Sequence, residues 1–405
     1  MLFFSYWSLD EPLTRATVIP TLEMVLSHGM VDRVVLCTME RHASAGQDPQ
    51  FHDTRIKHIP FRSLPFGPKV IGRSLDVLRT VPRMMRAARR EHAGFIMARG
   101  VVAGGFAHFA AQRTGLPYAV DYFEPHADYM ADTGVWRKGG ILYRALRWSI
   151  ARQLCTARFQ VTVTHNYHDR LIAMGANADR LLVAPCPVDI ERMRFDANAR
   201  ERTRSELGWE DAIIGIYVGK FGGLYHREAA YKAFAETQRR IGARYAQIIL
   251  SSEPLDHVID GLRNAGFDTR RVLVRYVQHA GVSAYSSASD FAFAPYKATP
   301  SSACISPMKI GEYWANGLPV LLTRGVGDDS GIVACEPFAG ALFDPLGDDL
   351  FDALDRVMAM IARPGQRAST SLLAQRYRSM DITREVYQRV LSGVWSQPRI
   401  SGTRP

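Results

Sequence analysis

The sequence predicts an α/β protein of two Rossmann-like domains, each built on a mostly parallel sheet. Three observations carry this. Short apolar runs of strand length alternate with amphipathic segments of helical period along the whole chain. The alternation breaks once, near residues 185–199, where two prolines and mixed charges intervene. At 405 residues, the chain also exceeds one ordinary domain. The expected division is residues 1–190 and 191–380, with a helix and tail over 381–405 returning to the first domain.

In the first half the strand candidates are 2–6 (LFFSY), 33–38 (RVVLCT), 57–60 (KHIP), 95–98 (FIMA), 118–122 (YAVDY), 160–164 (QVTVT) and 181–184 (LLVA). Most are continuous apolar runs, as strands covered on both faces should be. The second half repeats the pattern at 213–218 (IIGIYV), 247–250 (QIIL), 272–276 (VLVRY), 291–294 (FAFA) and 320–323 (VLLT). Hydrophobic content of 47% and charged content of 22% fit a soluble protein with substantial cores. No apolar run approaches the roughly 18 residues of a membrane-spanning helix. Residues 1–7 are too short and lack the basic flank of a signal peptide, so they read as a buried strand. The five cysteines, Cys37, Cys155, Cys186, Cys304 and Cys335, lack metal spacing. They point to a reducing, cytoplasmic setting, with neither a disulfide framework nor a zinc site.

The most informative stretch is residues 306–320, SPMKIGEYWANGLPV. A Ser-Pro pair opens a short helix carrying Lys309 and Glu312, Gly317 stops it, and a strand follows. Unpaired N–H groups at a helix start, with Ser306 and Lys309 beside them, suit a phosphate, and Glu312 lies where it can accept bonds from sugar hydroxyls. A Lys and a Glu three apart also suit an ordinary surface ion pair.

Extended to residue 323, SPMKIGEYWANGLPVLLT resembles the donor-binding segment of family 4 glycosyltransferases, a retaining family on the two-domain GT-B fold. Further similarities fall in the family's order at residues 1–7, 162–175, 181–189 (LLVAPCPVD) and 215–223 (GIYVGKFGG). The resemblance implies parallel sheets facing across a cleft, with acceptor in the first domain and nucleotide-diphosphate sugar in the second. It makes the donor a substrate and calls for no cofactor. Glu312 would contact the ribose. The family's other glutamate, eight positions earlier, is Cys304 here, which leaves the identity of the sugar open.

Ligands of open parallel sheets sit beyond the carboxyl ends of strands. There Gly219, Lys220 and Gly222 offer backbone approach and charge to a pyrophosphate. A second basic residue would be His226 or Arg227. Ser251 and Ser252 end the next strand, and Tyr276 and Val277 the one after, where they suit either the nucleotide or plain strand-end packing. In the first domain His126 is the first choice for the group facing the transferred sugar, with Glu124 and Asp121 as rivals. Asp10, Thr14 and Arg15 lie on the acceptor side or serve only as helix-entry residues.

No carboxylate pair stands out as a glycosidase's nucleophile and acid, and no Asp-x-Asp triplet marks a metal-binding strand end. The resemblance implies metal-independent transfer, with Lys220, Lys309 and the helix start stabilising the departing phosphate. A net charge of +10 and a pI near 9.5 raise nucleic acid and anionic membrane as partners. Arg79, Arg83, Arg86 and Arg90 recur at helical spacing, and residues 136–158 add a second basic segment containing aromatics. A peripheral place at the inner membrane face fits them, as does a solvated arginine face; nucleic acid is disfavoured because no binding module accompanies the charge. The competing functions are a nucleotide-sugar epimerase on the same fold and a catalytically silent scaffold at the membrane.

Overall fold

A computed structural model describes residues 1–40, 51–62 and 69–396. The chain forms two compact units: Met1–Cys186 together with the segment from Asp381, and Pro187–Met380. The first unit holds strands β1 (Leu2–Ser5), β2 (Val34–Glu40), β3 (Ile56–Arg62), β4 (Ile96–Arg99), β5 (Tyr118–Tyr122), β6 (Phe159–Thr162) and β7 (Leu181–Val183). They pair in the order β3-β2-β1-β4-β5-β6-β7. Every pairing is parallel. The second unit holds β8 (Ile213–Val218), β9 (Tyr245–Leu250), β10 (Val272–Arg275), β11 (Phe291–Ala294), β12 (Val320–Thr323) and β13 (Gly340–Phe343), in the order β10-β9-β8-β11-β12-β13.

Both orders run outward from a first strand and then restart on its other side. Each sheet therefore has one point where strand order reverses: β1 beside β4 in the first unit, β8 beside β11 in the second. The carboxyl ends at such points diverge and leave room for a ligand. The doubly wound α/β class expected from alternation is what forms. Strand boundaries shift by a residue or two, and β13 is an addition. Its four residues start at Gly340, whose φ of 136° and approach to Val320 exclude a side chain. A strand that short, opening on glycine, carries no periodicity.

Helix Met308–Ala315 is fixed between two strands. The Tyr313 hydroxyl accepts the Val218 N–H at 2.9 Å, and the Trp314 indole N–H donates to Ala339 O at 3.0 Å. Both rings are buried, so each bond forms away from competing water. Pro307 is the cap residue rather than the first helical residue, so the helix is shorter than the punctuation suggested. At its far end Gly317 adopts φ 78°, and Asn316 Nδ2 donates to Met193 O at 2.9 Å.

Beneath this helix, Arg378 forms a buried ion pair with Asp329 and also donates to the Ser306 hydroxyl. Burial raises the Asp329 carboxyl above the usual carboxylate range, and Arg378 opposes that rise. Removing one member of such a pair strands the other charge in a low dielectric. Arg378→Met is therefore expected to destabilise the protein by roughly 3–5 kcal/mol. The double variant with Asp329→Leu should recover much of that loss. Urea denaturation of both variants measures the difference.

Candidate active site

The second unit concentrates its chemistry where β8 and β11 part. After β8, Gly219, Gly222 and Gly223 take φ values of 135°, 88° and 63°, all in the region that favours glycine. A Cβ on Gly219 would stand 2.7 Å from Lys309 Nζ, so the turn must be bare backbone for the lysine to lie against it. The Lys309 nitrogen is buried and has no hydrogen-bond partner among the described residues. Tyrosine rings surround it: Tyr225 at 4.1 Å, Tyr217 at 4.8 Å and Tyr296 at 5.5 Å from nitrogen to ring centre. Burial raises all three phenols, so they stay neutral and offer only ring faces. Burial likewise lowers Lys309 from its ordinary 10.5 to about 7, against a smaller upward pull from Glu312. The lysine is thus a cation site waiting for a counter-charge.

Glu312 lies one turn further along the same helix and is buried. Its Oε1 meets His279 Nε2 at 2.7 Å. That bond raises the imidazole above its ordinary value; burial and Arg192 oppose, while Asp189 adds to the rise. His279 was missed from sequence because it sits in a 3-10 turn after β10 with no motif around it. Tyr225 and Tyr296 were missed for another reason. They become neighbours only because β8 and β11 are adjacent, and an isolated bridge joins them directly.

The remaining donor-side candidates are placed less centrally. The Lys220 side chain is exposed, and its carbonyl receives the Tyr217 hydroxyl. Arg227 pairs with Glu253 at 2.9 Å. The buried Ser251 hydroxyl accepts the Glu253 N–H at 3.2 Å, tying it into the strand-end turn. Tyr276 is 68% exposed. Ser306 is held by Arg378 rather than turned toward the lysine's nitrogen. Cys304 is buried in the 3-10 turn Ser302–Cys304.

In the first unit, His126 opens the helix His126–Asp132 just beyond β5, and its Nδ1 meets Glu124 Oε1 at 2.5 Å. The imidazole packs against Trp136, Trp7 and Tyr129, with ring centres 5.8, 6.1 and 6.3 Å away. Asp121, the other rival, is committed elsewhere: it pairs with Arg99 and accepts the Tyr387 hydroxyl at 2.7 Å. Asp10 and Arg15 form an exposed pair at 3.1 Å, and Thr14 is buried.

Residues 26–187 match the family model described as a glycosyl transferase 4-like domain. No curated protein matches the chain in sequence. Among solved structures, sucrose-phosphate synthase from Thermosynechococcus elongatus is similar with a TM-score of 0.72 at 15% identity, over 97% of this chain and 99% of that one. Anabaena HepE, solved with UDP and glucose, gives 0.70 at 15%, over 96% and 99%. The α,α-trehalose 6-phosphate synthase from Burkholderia multivorans gives 0.69 at 13%, over 97% and 98%. These likenesses are of fold, and the shared fold is GT-B, as expected from the sequence.

Two titrations with opposite signs follow from the second unit. Lys309 titrates near 7 when folded and near 10.5 when unfolded, so between those values the unfolded chain binds more protons and stability rises with pH. Lys309→Met should flatten that rise. His279 has a raised folded value, so its pairing stabilises fully below about 6.5 and fades as pH climbs through the raised value. The stability gap between the parent and His279→Gln should accordingly be widest in mild acid. Denaturation of the three proteins from pH 6 to 10 tests both signs.

Proposed function

We propose that the chain is a glycosyltransferase, a retaining, metal-independent one that moves a sugar from a nucleotide diphosphate to a glycan or lipid-linked glycan in surface polysaccharide or glycoconjugate synthesis; the glycosyl transferase 4-like match over residues 26–187 and the GT-B fold support this reading. The observation that carries this reading is the buried, unpartnered Lys309 nitrogen against the Gly219 turn, with the Glu312 carboxylate one helical turn away. A diphosphate supplies the counter-charge that the lysine lacks, and a ribose supplies hydroxyls for the carboxylate. UDP, with which HepE was solved, is the first nucleotide to try.

In this reaction the bond from the anomeric carbon to the diphosphate oxygen breaks and a bond to an acceptor oxygen forms on the same face. The acceptor proton passes to the departing phosphate. Negative charge grows on that phosphate as its bond to carbon stretches, so a fixed cation in a dry site is worth more in the transition state than in the bound substrate. Lys309 fills that role, lying against the side-chain-free Gly219 turn. His126, held by Glu124, is assigned to the transferred sugar or the acceptor.

A membrane-facing first unit suits a lipid-linked acceptor. In helix Lys69–Arg90, Arg79, Arg86 and Arg90 are exposed and Arg83 is half-buried, next to Leu78 at 70% exposure. Between residues 135 and 152, Val135, Ile141 and Trp148 are exposed among Arg137, Lys138, Arg144 and Arg152. Apolar side chains set among basic ones match the boundary of an anionic bilayer. No helix among the described residues is long and apolar enough to cross it.

Glu312→Gln is expected to weaken UDP-sugar binding by about 1.5–3 kcal/mol, the worth of a hydrogen bond to a charged group, with the fold intact. Calorimetry reads the affinity, and an unchanged value for every nucleotide sugar removes the assignment. Transfer should survive exhaustive chelation; complete loss restored by manganese or magnesium would overturn the metal-independent mechanism. Sedimentation with anionic vesicles should exceed that with neutral ones and fall with salt. Changing Arg79, Arg83, Arg86 and Arg90 to Gln should reduce it, since each basic group near such a surface is worth about 1 kcal/mol.

A further inference from the structure

The Lys309 nitrogen is shut in. It is buried and has no hydrogen-bond partner among the described residues. A diphosphate oxygen must come within about 3 Å of that nitrogen to accept its N–H groups. The walls around it are the Gly219 backbone and the rings of Tyr225, Tyr217 and Tyr296, at 4.1, 4.8 and 5.5 Å from nitrogen to ring centre. No oxygen can reach the amine while all of these stand, so one of them has to move.

Three of the four walls are fixed. The Gly219 N–H donates to Leu250 O, at the end of β9, at 2.9 Å. Tyr217 lies within β8 and is 0% exposed; it stacks on Phe221 with ring centres 4.5 Å apart, and its hydroxyl donates to the Lys220 carbonyl. Tyr296, just after β11, is 1% exposed. Moving any of these would open the core of the second unit.

Tyr225 differs. It is the half-buried member of the three, and its ring centre stands nearest the nitrogen. Its hydroxyl is held only by the Tyr296 hydroxyl at 3.5 Å, well beyond the usual O–H···O distance. The backbone that carries it is anchored on both sides: the Lys297 N–H donates to Leu224 O at 2.7 Å, and the His226 N–H to Pro295 O at 3.0 Å. The movable part is therefore the side chain, turning about its own bonds on a pinned backbone. A lysine that swung out instead would give up all three ring faces, whereas rotation of Tyr225 leaves it two.

We propose that the ring of Tyr225 is a gate: it closes over Lys309 in the empty site and rotates aside to admit a diphosphate. This rests on the reading of Lys309 as the diphosphate contact. In the closed state the ring face takes the place of the anion; in the open state the anion replaces the ring. Gate and contact are tested separately by trace acetylation of the full chain with acetic anhydride at neutral pH, read by peptide mass spectrometry. Lys232, whose side chain is 70% exposed, is the internal reference.

Lys309 of the parent should acetylate severalfold more slowly than Lys232. Tyr225→Ala should raise the Lys309 rate severalfold, whereas Tyr225→Phe, which keeps the ring, should leave it at the parent's value. UDP should slow the labelling of Lys309 in Tyr225→Ala and leave Lys232 unchanged. A parent Lys309 as reactive as Lys232 overturns the gate. So does a Tyr225→Ala rate equal to the parent's, the result expected of a lysine that swings out on its own, and so does equal acceleration in Tyr225→Phe, which would assign closure to the hydroxyl. Labelling of Tyr225→Ala that UDP does not slow overturns the diphosphate contact instead and leaves the gate standing. Circular dichroism confirms folding of each variant. If Tyr225→Ala does not fold, Tyr225→Leu carries the same comparison.

Discussion

The hydrogen bond from the Val218 N–H to the Tyr313 hydroxyl sets the geometry of the second unit's chemistry. It joins the last residue of β8 to the helix Met308–Ala315, while Trp314 ties the same helix to Ala339, just before β13. With the helix fixed along and around its axis, Lys309 and Glu312 fall one turn apart on neighbouring positions. Lys309 then lies against the glycine turn after β8. The bare Gly219 follows from this. Any side chain there would collide with the amine that the helix presents.

Keeping an amine in such a place is costly, because a cation taken out of water without a counter-charge is destabilised. The protein limits the cost with three tyrosine ring faces, which attract a cation but cannot accept its protons as a carboxylate would. A carboxylate in direct contact would stabilise the amine better and would also compete with any anion for it. Glu312, the nearby acid, is drawn off by His279. Tyrosines and histidine together leave the lysine soluble in the fold but unsatisfied, and an anion can be bound tightly only by a group that is unsatisfied before it arrives.

Much of this was legible from the sequence, and the division between what was and was not is physical. Strands β5, β8, β11 and β12 were read with their observed limits because each is a short run dominated by apolar and β-favouring residues. Lys309 and Glu312 were found because helix punctuation and spacing are local. The tyrosine cage was not, since Tyr296 lies 71 residues beyond Tyr225 and meets it and Tyr217 only once strand order is known. His279 escaped for the same reason, as nothing within its own turn connects it to a glutamate on another element. Ser306 shows the converse. Its position in the motif was read from sequence, but its hydroxyl answers to Arg378, a residue from a distant helix.

The two units set aromatic residues in opposite electrostatic surroundings on the same sheet architecture. In the second unit a cation is stripped of counter-charge and walled by aromatic faces, an arrangement that rewards a dense anion. In the first, Arg99 is matched to Asp121 and Arg170 to Asp128, and aromatic rings gather around the Glu124–His126 pair. Aromatic residues serve both, as a substitute for a counter-ion in one and as packing around an imidazole bonded to a carboxylate in the other. What distinguishes them is whether the neighbouring charge is balanced. Under the proposed glycosyl transfer that difference has a use: a sugar leaving a diphosphate builds negative charge on the carrier, and an unbalanced cation in a dry site responds to that charge more strongly than a paired one.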